Sequence, residues 1–185
     1  MDIQSIRESE RRSHIELYSS EELYKEGSWL NKPIRTVTDL FPMFEGCKEF
    51  RALDLGSGVV SPIEDFAIET DTYDLILAVS ALEHIDSRAS FVEKLKEMRD
   101  GIKTGGVVCL VINSEVREKN KATGEVLYPQ FEVNLPTEEL KEILQSTFEG
   151  WEIIKSTVRE QQYDIPRDGC VSELTTNVVT FAARK

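Results

Sequence analysis

Two nearly continuous apolar segments limit the folds open to this chain. They are YDLILAVS at 73–80 and VVCLVI at 107–112. Strands that are apolar on both faces are typical of parallel sheets, which helices cover on both sides. Between the two segments, one helical face is marked by Phe91, Val92, Leu95, Met98 and Ile102. The order strand, helix, strand predicts a right-handed crossover unit and therefore an α/β fold.

Further elements flank this unit. We predict a strand at 49–55, a helix that begins at Pro136, and two C-terminal strands at 151–159 and 174–183. The last two strands are expected to pair in antiparallel fashion through a long turn. The polar stretch 114–124 predicts a loop.

The N-terminal part has a different composition. Residues 1–30 are charged with few apolar positions, and we interpret them as a helical lid segment. An apolar helical stripe follows at 34–44 and is expected to pack on a sheet. A length of 185 residues fits one domain, so we predict a single domain over 1–185.

The charge of the chain narrows its partners. Lys and Arg total 22 against 34 Asp and Glu, a formal net charge of −12. Such a surface repels nucleic acids and anionic membranes, so neither is expected as a partner. Cys47, Cys109 and Cys170 are widely spaced and form no CxxC pair. We therefore expect no metal site, no disulfide framework and a cytoplasmic location.

A glycine turn follows the first predicted strand. LDLGSG at 53–58 places Gly56 and Gly58 where the backbone must turn tightly, with Asp54 at the end of the strand. The carboxyl ends of parallel strands are where such folds bind ligands. A Gly-Ser-Gly turn is equally an ordinary connection from strand to helix, so by itself the motif decides nothing.

Three motifs in order carry a resemblance to a known family. LDLGSG, then YDLILAVSALEHI, then GIKTGGVVCLVI resemble the class I S-adenosylmethionine-dependent methyltransferases, especially the small single-domain type that includes the tellurite-resistance methyltransferases. The resemblance covers 50–113. It implies a Rossmann-like methyltransferase sheet, mostly parallel with an antiparallel C-terminal strand pair. It also implies methyl transfer from S-adenosylmethionine to a small-molecule acceptor.

The same resemblance assigns site residues. The cofactor-binding positions that it implies are Asp54, Gly56, Ser57, Gly58, Ser80, Ala81, Trp29 and Tyr24. The first four surround the methionyl part, the next two lie near the sulfonium, and the two aromatic residues belong to the lid. His84 is the candidate general base, although it could equally cap the next helix. The family's ribose-binding carboxylate falls on Ala78, and its third glycine on Val60.

The connection after the glycine turn is short, because only 16 positions separate Gly58 from Asp74 (74 − 58). One interpretation is a minimal crossover in which 49–55 and 73–80 are consecutive neighbours. The other, which we favour, is that the family's second and third strands are missing and the sheet is truncated by two strands. The first strand would then be a sheet edge, which predicts a homodimer or poor solubility.

Two other functions remain open. A methyltransferase-like remnant that no longer binds cofactor would act as an interaction module, and the missing ribose carboxylate favours it. The retained Asp54, Gly56 and Gly58 favour an enzyme. A nicotinamide-dependent enzyme is the third alternative, but the turn lacks GxGxxG.

Overall fold

The computed structural model describes Glu8 and residues 34–56, 63–167 and 169–185. The chain divides into two compact units, Met1–Phe50 and Arg51–Lys185. The single domain over 1–185 stays a prediction. The predicted helical lid at 1–30 lies, apart from Glu8, outside the described part of the chain.

In the first unit, the apolar stripe at 34–44 forms two short elements. Helix α1 (Arg35–Thr38) ends before a 3₁₀ turn at Phe41–Phe44. Pro42 explains the break, because proline has no N–H and disfavours α conformation at the residue before it. The predicted helical stripe is therefore helical in both parts, but it is divided into an α-helix and a 3₁₀ turn. The rings of Phe44 and Phe50 lie 4.8 Å apart.

The second unit is a six-stranded sheet with two helices. Its elements are β1 (Ala52–Leu55), β2 (Tyr73–Val79), α2 (Arg88–Gly101), β3 (Ile102–Asn120), β4 (Val126–Leu127), α3 (Thr137–Thr147), β5 (Glu152–Arg167) and β6 (Cys170–Arg184). The strand order is β1-β2-β3-β6-β5, with β4 paired to β3. The first three strands are parallel, and β6 is antiparallel to both neighbours. The predicted α/β class and antiparallel C-terminal pair are confirmed.

Helix α2 forms where the apolar periodicity predicts it. Ser87 caps its first turn by accepting a hydrogen bond from Ser90 N at 3.1 Å. Phe91, Leu95 and Met98 on one face are fully buried. They belong to the same apolar core as Leu140 and Leu144 of α3, which follows Pro136 as predicted.

Strand β3 is covered on both faces. Val107, Val108, Cys109 and Leu110 are all fully buried, although alternate residues point to opposite faces. The prediction of a doubly covered strand is confirmed. Burial raises the pKa of the Cys109 thiol to about 11, so this cysteine is part of the core.

The polar stretch predicted as a loop at 114–124 is largely strand, since β3 continues to Asn120. Ser114, Val116 and Glu118 are buried, whereas the residues between them are exposed. Alternation with period two is the pattern of a strand with one covered face. The prediction of a loop was wrong because charged residues at every second position also fit a strand with one exposed face.

The predicted long turn between the C-terminal strands was also wrong. Strands β5 and β6 form one hairpin that stays paired as far as Arg167 and Cys170. Gly169 in the tight turn has a φ of +80°, the left-handed conformation that glycine adopts without strain. Pro166 is tolerated in β5 because this strand ends the sheet order.

Strand β1 ends the sheet order on the other side. Within the part of the chain that the structure describes, it pairs with β2 alone. Both interpretations of the short connection place these strands side by side, so the pairing does not distinguish them. A missing pair of strands stays a prediction.

Candidate functional site

The turns after the parallel strands β1 and β2 approach each other closely at the carboxyl edge of the sheet. Gly56 follows β1 with a φ of +108°. A Cβ atom added there would lie 2.3 Å from the Cβ of Ala81, which follows β2. Real Cβ atoms do not approach so closely, and the positive φ is strained for any other residue. Glycine is therefore required for the two turns to meet.

The turn after β2 is strained. Ser80 has a φ of +47°, which is uncommon for a residue with a side chain. Its N–H donates to Val111 O at 2.8 Å and so extends the ladder to β3 by one bond. Ser80 is exposed and Ala81 is buried. The chain thus presents the serine side chain on the surface beside a tightly packed alanine.

Asp54 lies in β1, two residues before Gly56. More than a third of its surface is exposed, but the surrounding protein partly desolvates the carboxyl and raises its pKa. A carboxylate in such a place is stabilised by a nearby cation. A cationic group of a ligand would therefore bind favourably beside Asp54.

The 3₁₀ turn Leu82–His84 contains Glu83, an acidic residue that is buried in the fold. The Glu83 side chain is fully buried, and its Oε1 accepts hydrogen bonds from Asn113 N, at 3.3 Å, and from Asn113 Nδ2. Burial raises the pKa of Glu83 above its ordinary value, although the neighbouring His84 and the Asn113 bonds lower it. The backbone is fixed as well, because Val133 N donates to Glu83 O at 2.9 Å.

His84 is held by a second segment. Its Nδ1 lies 3.3 Å from Glu132 Oε2, and its ring stacks on Phe131 with centroids 5.0 Å apart. The Glu132 side chain is fully buried, whereas 22% of the His84 side chain is exposed. A carboxylate at Nδ1 favours the tautomer that carries its proton there.

The segment that carries Phe131 and Glu132 is anchored at the start of α3. Thr137 N donates to Glu115 Oε1 at 3.3 Å, and Ser114 Oγ lies 3.0 Å from Thr137 Oγ1. Glu115 has a φ of +49° at an irregularity of the β3–β6 ladder. The irregularity turns the Glu115 carboxylate toward the helix start, where an acidic group is favourable.

Four of the implied cofactor residues lie at the ends of β1 and β2 or in the turns that follow these strands, and His84 lies in the 3₁₀ turn after Ala81. The four are Asp54, Gly56, Ser80 and Ala81. Ser57, Gly58, Tyr24 and Trp29 lie outside the described residues. Ala78, at the implied ribose position, is fully buried in β2. The assignment of these residues to a cofactor stays a prediction.

Sequence reasoning missed Asn113 and Glu132. Asn113 could have been found, because it is the first polar residue after the apolar run of β3, at the edge where ligands bind. Glu132 gave no local signal. It reaches His84 from 48 positions away along the chain.

Two negative findings apply to the described ranges. They contain no group of three or more His, Cys, Asp or Glu side chains that could hold a metal ion. They also contain no helix long and apolar enough to cross a membrane. The cytoplasmic location stays a prediction.

Comparison with known proteins gives structural likeness alone. No protein-family model matches the chain, and no curated protein does. The YcgJ protein from Bacillus subtilis is 12% identical with a TM-score of 0.51, and the match covers 81% of this chain and 97% of that one.

Two weaker matches were also found. TehB from Haemophilus influenzae is 17% identical with a TM-score of 0.43, over 63% of this chain and 37% of TehB. A Burkholderia thailandensis 1,6-didemethyltoxoflavin-N1-methyltransferase, solved with S-adenosylhomocysteine, is 16% identical with a TM-score of 0.40. That match covers 68% of this chain and 48% of the enzyme.

The sheet order carries the conclusion about the fold. Three parallel strands are followed by a hairpin whose last strand inserts antiparallel between β3 and β5. The likeness to YcgJ extends over most of both chains. The described part of this chain therefore has a Rossmann-like α/β fold that is similar to that of YcgJ.

Proposed function

We propose that this chain binds S-adenosylmethionine and transfers its methyl group to a small-molecule acceptor. The observation that carries the proposal is the close approach of Gly56 to Ala81, which brings the turns after β1 and β2 together at the carboxyl edge of the sheet. In open α/β sheets this edge is where ligands bind. The fold and the order of the three sequence motifs support the same function.

The residues present fit the methionyl end of the cofactor. Its ammonium group is cationic, and Asp54 is a partly desolvated carboxylate that gains from a cation. The ribose end fits less well, because Ala78 offers no carboxylate. A hydrogen bond to a charged group contributes about 1.5–3 kcal/mol, so its loss weakens binding by roughly one to two orders of magnitude.

When bound, S-adenosylmethionine supplies an electrophilic methyl group on a positively charged sulfur. Ser80 and Ala81 would line the cofactor near its sulfonium, and the acceptor would be positioned beside them. His84 would take up the proton that the acceptor loses when it is methylated. Glu132 keeps the other proton on Nδ1 and stabilises the imidazolium.

This arrangement selects a class of acceptor. A base is needed when the acceptor atom is an O–H or N–H group that must lose its proton. The net charge of −12 disfavours polyanionic acceptors. We therefore propose a small neutral or cationic molecule with a hydroxyl or amine as the methyl acceptor.

Calorimetric titration with S-adenosylhomocysteine tests the binding step. We expect binding in the micromolar range, weakened by at least about tenfold in Asp54→Asn because the charged partner is lost. Glu160→Gln, an exposed acid on β5, is the matched control and should bind as the wild type does. A folded wild-type protein that releases no heat would contradict the proposal.

A second measurement tests the base. With an acceptor that is turned over, His84→Asn should lower kcat and leave the affinity for S-adenosylhomocysteine unchanged. Equal loss in both would show that His84 only supports the fold.

The alternative function is an interaction module that has lost the cofactor. The observation that favours it is Ala78, since the ribose hydroxyls would have no carboxylate at that position. A folded chain without cofactor affinity is its expected result in the same titration.

A further inference from the structure

The carboxyl group of Glu83 is paired unevenly. Two donors of Asn113, the backbone N–H and the side-chain Nδ2, converge on Oε1. Oε2 is buried and has no hydrogen-bond partner among the described residues. The whole side chain is fully buried, on a turn that the fold places next to Ser80 and Ala81.

This pairing distinguishes the two protonation states. A carboxylate would leave an anionic oxygen buried without a protein donor, which is strongly unfavourable. A neutral acid places its carbonyl at Oε1, where two lone pairs accept two donors, and its hydroxyl at Oε2. An unpaired hydroxyl is far less costly than an unpaired buried anion.

The Asn113 amide is held from three sides. Nδ2 donates to Glu83 Oε1 and also lies 3.4 Å from Ser80 Oγ. Oδ1 accepts from Thr176 Oγ1 at 3.3 Å. The Asn113 amide therefore connects the buried Glu83 to Ser80, whose backbone is strained.

We propose that Glu83 is a positioning residue of the site, which as a neutral carboxylic acid orients the Asn113 amide and, through it, the Ser80 side chain. The role of Ser80 in lining a cofactor rests on the proposed function. The orientation of Asn113 does not. Ionisation of Glu83 would replace the hydroxyl by an anion that the site cannot pair, and would release the turn.

The charged groups around Glu83 come from two elements. His84 lies on the same turn, and its positive form would favour ionised Glu83. Glu132, from the segment packed against this turn, pairs with His84 and offsets that charge. Strand β3 faces Glu83 with the neutral Asn113.

The protonation state can be read without any ligand. In protein labelled with ¹³C at the Glu side-chain carbonyl, the Glu83 resonance is assigned by its loss in Glu83→Gln. We expect it to stay in the neutral form where the exposed carboxylates are already ionised. A resonance that titrates together with theirs would overturn the neutral acid.

The positioning role is read from hydrogen exchange at the Asn113 side-chain amide. Exchange should be slow in wild type and in Glu83→Gln, which keeps the acceptor oxygen, and fast in Glu83→Met. The matched control is Glu118→Gln. Glu118 is also a buried acid, but it lies near the end of β3, and its replacement should leave the Asn113 amide protected. Protection that persists in Glu83→Met would overturn the proposal, and if that variant does not fold, the carboxyl resonance alone decides it.

A third measurement tests whether the protonation state of Glu83 affects ligand binding. The affinity of wild type for S-adenosylhomocysteine should fall as pH rises through the ionisation of Glu83, whereas Glu83→Gln should bind within about threefold of wild type and without that pH dependence. An unchanged pH dependence in Glu83→Gln would contradict the connection to Ser80. Absence of binding in every variant would overturn the proposed function, while the two ligand-free measurements would still decide the role of Glu83.

Discussion

Gly56 and Ala81 lie in contact where the turns after β1 and β2 meet, and no side chain other than hydrogen fits at position 56. Its would-be Cβ lies 2.3 Å from that of Ala81, and its φ is +108°. Two costs would therefore fall on any substitution, the backbone strain and the collision. They can be separated, because other glycines of the chain have a positive φ without a close neighbour.

Gly56→Ala should destabilise the fold and abolish binding of S-adenosylhomocysteine. Gly150 has a φ of +82° with no atom near its would-be Cβ, so Gly150→Ala reports the strain alone. Strain costs roughly 1–2 kcal/mol, and the collision should add about 1–3 kcal/mol. Urea unfolding and calorimetry measure the two effects. Equal losses of stability in the two variants would show that Ala81 moves away freely.

We expect Asp74 to contribute to the decrease in the free energy of unfolding at acidic pH. Its Oδ2 accepts from Arg51 N at 2.8 Å and from Lys103 Nζ at 3.0 Å. Burial alone would raise the pKa of Asp74, but these two partners outweigh it and lower the pKa. A lowered folded pKa contributes stability above the unfolded pKa, and that stability is lost as pH falls through the folded value.

Asp74→Asn should therefore reduce stability near neutral pH and flatten its decline as pH falls through and below the range of ordinary aspartate pKa values, about 4. Urea midpoints measured across this range give the slope. Glu160→Gln, whose exposed partner Arg117 is 4.0 Å away, should leave the slope as in wild type. A slope that Asp74→Asn does not change would assign the acid sensitivity to other carboxylates.

Glu118 and Arg167 join β3 to the end of β5. Arg167 Nε and Nη2 donate to the two carboxylate oxygens at 2.7 and 2.9 Å, and Ser172 Oγ donates at 2.6 Å. Burial would raise the pKa of Glu118, but Arg167 and Ser172 lower it overall. The carboxylate is only 1% exposed, so removing its cation leaves an unpaired buried charge.

Arg167→Met should cost about 3–5 kcal/mol, and adding Glu118→Gln should recover part of that loss. The double-mutant cycle in urea measures the coupling. Arg117→Ala, which removes an exposed ion pair, should change stability by less than about 0.5 kcal/mol. A double variant that is as unstable as the sum of the singles would indicate that the two side chains act independently.

Strand β1 should mediate a homodimer. Among the described strands it has a neighbour on one side only, and an unpaired strand edge offers backbone groups to a second copy. Light scattering should give a dimer that Ala52→Lys dissociates. Thr157→Lys on β5, at the opposite edge, is the control and should remain a dimer. A monomeric wild type would contradict this prediction.

Local patterns were sufficient for much of the fold. The crossover unit was predicted from the apolar runs of β2 and β3 and from the helical face of Phe91, Leu95 and Met98. Each of these patterns indicates by itself which residues are buried. The charged continuation of β3 was missed, although Ser114, Val116 and Glu118 alternate with exposed residues. Their burial depends on β6 and on the segment before α3, which a local window does not contain.

The candidate site, too, could be predicted only in part from the sequence. Gly56 and Asp54 belong to the LDLGSG motif, and the tight turn predicted at Gly56 is present, with a φ of +108°. The part of both residues in binding a cofactor stays a prediction. The Glu132 contact with His84 and the pairing of Glu83 with Asn113 arise only when distant segments meet. Nothing in the letters around Glu132 distinguishes it from a surface acid.

Ser80 sets stability against function at a single residue. A φ of +47° is more easily adopted by glycine, so Ser80→Gly would relieve the backbone and lose the hydroxyl that meets Asn113. Selection for a more stable protein would favour the glycine, and selection for the contact between Ser80 and Asn113 would retain the serine. The residue found at this position in relatives of the chain would therefore indicate which of the two has been under selection.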